Sequence, residues 1–138
     1  MASFTKFYSF VEALAEKTHN LGSDTLTVAL VAAANPPSQS NTVLANLTQI
    51  SYTNCSSRAL SISSSSQTTG TYKLIVADLV LTATGGSVGP FRYIVVYNET
   101  ATDDPLIGWY DYGSDLTLAD GESLTLDFNL TNGLLQLT

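Results

Sequence analysis

Apolar and polar positions change their period once along this chain. Near the start, Phe7, Phe10, Val11 and Leu14 recur at i, i+3, i+4 and i+7, the stripe of an amphipathic helix. Ser9 and Glu12 have capping-box spacing, which predicts a helix from near Phe10 to Thr18–Asn20, ahead of Gly22. Phe4, Phe7 and Tyr8 read as an arm that docks elsewhere, giving a helical segment over about residues 4–20. Beyond it the period is two. Leu26, Val28 and Leu30 share one face of a strand over Asp24–Val31. Asn35-Pro36-Pro37-Ser38 lies in a loop. Val43–Ile50 is ambiguous between short helix and strand. Leu60 and Ile62 face inward from a strand over Arg58–Ser64, which runs as a sheet edge through the serines to a turn.

The longest patterned stretch is Thr71–Asn98, two apolar runs about Gly85-Gly86, Gly89 and Pro90. It predicts a long hairpin with a loose tip. In its second run Phe91, Tyr93, Val95 and Tyr97 alternate with Arg92, Ile94, Val96 and Asn98. The first run, Leu74–Leu81, is apolar on both faces and so expected to be covered on both, with a phase slip or bulge near Asp78. Downstream, Leu106–Tyr112 reads as a strand centred on Trp109 and broken by Gly113. Asp120-Gly121 reads as a hairpin turn before Ser123–Leu130, where Leu124, Leu126 and Phe128 share a face. Asn132-Gly133 turns into a last strand, Leu134–Leu137. The expected fold is all-β: an antiparallel β-sandwich or jelly roll of about seven to eight strands with one N-terminal helix. A length of 138 residues fits one domain over 1–138.

Composition narrows the function classes. The net charge is −7, with only five Lys plus Arg, too few for a phosphate-tracking stripe, so neither nucleic acid nor an anionic membrane surface is an expected partner. One cysteine, Cys55, excludes an internal disulfide. No signal peptide and no run of ~18 apolar residues is visible, which places synthesis in a cytoplasm. The only histidine, His19, is expected to cap the helix end. With one His and one Cys, no catalytic pair and no zinc site is expected. Asp103, Asp104, Asp111, Asp115, Asp120 and Glu122 cluster late in the chain, but without calcium-loop spacing they read as solvated turn acids. Four Asn-x-Ser/Thr triplets, at Asn46, Asn54, Asn98 and Asn129, are expected by chance in a chain rich in Ser and Thr. No catalytic residue, cofactor or metal is expected.

The phrases His19-Asn20-Leu21-Gly22-Ser23-Asp24-Thr25, Gly89-Pro90-Phe91-Arg92-Tyr93, Pro105-Leu106-Ile107-Gly108-Trp109-Tyr110-Asp111-Tyr112-Gly113 and Asp120-Gly121-Glu122-Ser123 carry a resemblance over nearly the whole chain. The chain resembles short virion proteins of tailed double-stranded DNA bacteriophages. In size and strand pattern it is similar to the capsid cement (decoration) proteins, of which a Bordetella bacteriophage has a member. The resemblance implies a jelly-roll protein, dimeric, made in a host bacterial cytoplasm. It would sit on the exterior of an icosahedral capsid in the virion and cement neighbouring major capsid protein subunits, with no enzymatic role. The contacts expected are Phe4, Phe7 and Tyr8, the serine edge Ser61–Ser66, and the strand bearing Leu74, Val76 and Val80 as the homodimer seam. Tyr110 and Tyr112 are an aromatic surface candidate. With Asp111 they support the alternative, a lectin-like carbohydrate-binding module.

Overall fold

The computed structural model describes residues 3–138. Among them are one α-helix and nine strands, every pair of strands antiparallel. The helix, α1, spans Tyr8–Ala15 and follows strand β1, Phe4–Lys6. It starts earlier than the Ser9/Glu12 spacing predicts. No side chain caps it. The chain ahead is already bonded: the Phe7 amide donates to the Ile107 carbonyl at 3.0 Å and the Tyr8 amide to the Gln39 carbonyl at 3.0 Å. Two amides at the start of the helix are thus satisfied by neighbouring backbone and not by a capping side chain. It also ends earlier, because the chain reverses at Lys17 in the left-handed conformation (φ 70°), not at Gly22.

One sheet runs in the order β1-β7-β6-β2, with β2 at Leu26–Val31, β6 at Val88–Asn98 and β7 at Leu106–Leu118. A second has the order β3-β4-β9, where β3 is Ile62–Thr68, β4 is Thr71–Val76 and β9 is Leu135–Leu137. β5 (Leu79–Thr82) pairs with β8 (Ser123–Leu126) beside it. The main core lies between these layers. Leu26, Val28, Leu30, Phe91, Ile94 and Val96 meet Leu74, Val76, Leu81, Leu126 and Phe128, all buried. Helix α1 adds Phe10 to this core. This is an antiparallel β-sandwich with one helix.

The other face of the four-stranded sheet is covered as well. Ala29, Val31, Val95, Tyr97 and Leu106 pack with Phe7 beneath Leu44, Leu47 and Trp109. The doubly covered strand is therefore β2, buried at all six positions, and not Leu74–Leu81. Val43–Ile50 supplies part of the cover, with a 3-10 turn at Leu44–Asn46 in place of a regular helix or strand.

Several expected pairings are corrected. Thr71–Asn98 is not a hairpin: β4 pairs with β3 and β9, β5 with β8, and β6 with β2 and β7. At Ala77–Asp78 the chain leaves one sheet for another, and the Asp78 carboxylate accepts from the Phe128 amide at 2.9 Å. Asp120-Gly121 does turn the chain, but it joins β7 to a strand of the other layer. The serine run, by contrast, is as expected: Ser63–Ser66 lie in edge strand β3, and the turn follows at Thr69-Gly70. Alternation reports which face of a strand is buried. It does not report which strand lies alongside, so turn signals alone assign the wrong neighbours.

Within β6 the expected parity also breaks. Register shifts between Phe91 and Tyr93 put Phe91 in the main core, while Tyr93, Val95 and Tyr97 face the outer cluster. Opposite, Gly113 does not break β7. It adopts φ 100° and lets a strand of 13 residues bulge outward.

Candidate functional site

The bulge in β7 builds the first candidate site. Tyr93 pairs with Asp111, yet Phe91 pairs with Leu116, so residues 112–115 have no partners on β6 and stand out from the ladder. Two side chains tie the excursion down. Asp111 accepts from the Gly113 amide at 2.8 Å and takes a bidentate ion pair from Arg92, at 2.8 and 3.0 Å. The guanidinium holds the Asp111 carboxyl below its usual range. Asp115 accepts from the Ala33 amide at 3.0 Å.

The alternation of β7 then separates the aromatic segment. Trp109 faces the outer cluster, its ring 4.7 Å from that of Phe7. Tyr110 faces the opposite way and stacks at a tilt on Phe4 (5.0 Å) and Phe128 (6.0 Å). Burial pushes its phenol up to about 12. Tyr112 is 48% exposed on the same side. The expected trio is thus split: Asp111 is engaged with Arg92, while Tyr110 and Tyr112 line a groove with Ile94, Leu124, Leu126 and Phe128. This groove measures about 300 Å³, and Thr125 and Asp127 are also among its lining residues. Alternation in the sequence marks Thr125 and Asp127 as outward-facing. Nothing there links them to tyrosines carried on another strand.

A larger trough, about 890 Å³, opens between β1, α1 and β9. Phe4, Phe10, Leu14 and Leu135 line it, together with Val11 (54% exposed) and Leu137 (44% exposed). Lys6 is the one charged side chain among the lining residues. β1 and β9 are outer strands of their sheets, so each turns a backbone edge outward. The helical stripe put Val11 on the buried face; it lies at the trough instead.

The expected contact residues divide accordingly. Phe7, Leu74 and Val76 are fully buried and belong to the core, so no partner reaches them in the folded chain. β4 already has a neighbour on each edge. β5 has β8 on one edge and Ser56 bonded along the other. The stretch Leu74–Leu81 therefore cannot serve as a strand-pairing seam between subunits. Val80 is half-exposed on the outer face, Tyr8 is 65% exposed, and Phe4 is half-buried beneath β1.

His19 is not a helix-end cap. It is buried, with its ring 5.3 Å from Phe10 and Nδ1 3.0 Å from the side-chain nitrogen of Asn98. That amide nitrogen also donates to Asp24 at 2.7 Å, and the Asn98 oxygen accepts from the Thr100 and Ala101 amides. Every donor and acceptor site of the Asn98 side chain is engaged, which rules out the Asn98 triplet as an exposed acceptor. Since Asn98 donates to Nδ1, the neutral tautomer carries its proton on Nε2. Burial lowers the imidazole pKa, and the Asp24 carboxylate opposes that shift.

The late carboxylates close loops. Asp120 accepts from the Gly85 amide, and Glu122 from the Ala119 amide. Among the described residues no three His, Cys, Asp or Glu side chains gather as a metal site. Cys55 is a half-buried thiol, its pKa raised by burial. No described helix is long and apolar enough to cross a membrane. No family model, curated protein or solved structure matches the chain.

Proposed function

We propose that this protein is a non-enzymatic virion component that binds the exterior of an icosahedral bacteriophage capsid and cements neighbouring major capsid subunits. The observation that carries the reading is the trough between β1, α1 and β9. Exposed Val11 and Leu137, with Tyr8 nearby, present apolar surface beside two open strand edges. Apolar side chains at an open edge favour contact with another protein. The resemblance to cement proteins supplies the kind of partner. Each contact can be weak, because a closed shell presents many copies. Binding to the assembled shell would stabilise it by mass action. If two copies pair, the outer edges of β1, β3 and β9 are open to it, not those of β4 or β5.

Quantitative mass spectrometry of purified particles tests the role. Copies should stand in simple stoichiometry to the major capsid subunit, and particles lacking the chain should release DNA at a lower temperature. A Leu137→Asp variant should fold and fail to bind such particles. Absence from particles, or a few copies per particle, would overturn the reading.

A further inference from the structure

We infer that the groove between β7 and β8 binds a pyranose ring. This does not depend on the capsid reading and stands or falls separately from it. Half of its lining residues are aliphatic or phenyl: Ile94, Leu124, Leu126 and Phe128. Tyr112, from the bulge, lines it too, about half exposed. Four of the lining residues carry polar side chains: Tyr110, Tyr112, Thr125 and Asp127. None of the four forms a hydrogen bond or ion pair to another described residue. The neighbouring carboxylates, in contrast, are already engaged, Asp78 with Phe128, Asp111 with Arg92 and Asp115 with Ala33. The Tyr110 phenol is protonated at neutral pH, as any tyrosine is, and can donate.

This arrangement selects among ligand classes. A wholly apolar occupant would leave the polar side chains it covers without partners, which is costly. An anion would meet Asp127 in a chain of net charge −7. A volume of about 300 Å³ is at the small-molecule end of binding sites. A sugar ring meets each requirement. Its C–H face lies on an aromatic ring and aliphatic side chains, and its hydroxyl edge donates to a carboxylate and exchanges hydrogen bonds with phenols.

Saturation-transfer NMR on the full chain tests this with the methyl glycosides of glucose, galactose, mannose and N-acetylglucosamine. At least one should receive saturation, strongest on the protons of one ring face. Tyr112→Ala, at an exposed bulge position, should weaken that glycoside about tenfold. Asp127→Asn should also weaken it, because the paired acceptor is lost. Tyr8→Ala, at the start of α1 and outside the groove, should leave it unchanged. No transfer from any of the four glycosides would overturn the proposal. So would transfer that survives either Tyr112→Ala or Asp127→Asn undiminished.

Discussion

At the scale of single residues, His19 links stability to acidity. Its imidazole accepts from Asn98 inside the fold, and burial holds its pKa below the ordinary 6.5. The unfolded chain therefore binds a proton at a higher pH than the native chain does. The contribution of this site to stability is complete above about pH 6.5 and is lost as the pH falls towards the folded-state pKa. Protonation would also convert Nδ1 from acceptor to donor, facing the amide nitrogen of Asn98. Because the chain has one histidine, its ring-proton NMR titration is unambiguous. The midpoint should lie below 6.5, and the urea midpoint should fall between pH 7 and pH 5 by more than in His19→Gln. An ordinary midpoint would refute the linkage. The sequence displayed His19 beside Asn20 and Gly22, which reads as a helix end. Its partner Asn98 lies 79 positions away, beyond any local pattern.

At the scale of elements, β1 depends on a single glycine. Gly108 lies opposite Lys6 in the β1–β7 register. A Cβ there would run into the Phe4 ring and sit 2.7 Å from the Thr5 carbonyl oxygen. Gly108→Ala should therefore unseat β1 while the β2–β6 pairing persists. Hydrogen exchange should show faster exchange at Phe4–Lys6 and unchanged protection in β2. Equal protection of β1 in both proteins would contradict this. A glycine inside an aromatic strand segment is a legible sign of close backbone approach. The identity of the approaching strand is not legible, since β1 and β7 are about a hundred residues apart.

At the scale of the molecule, two layers of core hold three groups of strands together. Phe7 fills the outer layer and is fully buried, whereas its neighbour Tyr8 is mostly exposed. Phe7→Ala should cost about 3–5 kcal/mol in urea unfolding. Tyr8→Ala should stay within about 0.5 kcal/mol. A similar loss for both would mean that the outer layer contributes little to stability. In sequence the two aromatics look alike, as parts of one arm. The Phe7 side chain is claimed by Trp109 and by the cover over β2, both built from distant segments.

What the sequence determined by itself was the class of the fold and the inward face of most elements. Period-two alternation, a short helical stripe and glycine-rich turns are local consequences of backbone geometry. They survive whatever the rest of the chain does: Leu26, Val28, Leu30, Leu126 and Phe128 are buried where alternation puts them. Tertiary structure alone decided which strands are neighbours. It sent β4 and β5 to different partners and opened the trough at α1. It also carried Tyr110 and Tyr112 across to Thr125 and Asp127. Backbone ladders have nearly the same hydrogen-bond energy with any partner. The choice is made by how side chains from the whole chain fill a common core, and no window of sequence contains that sum.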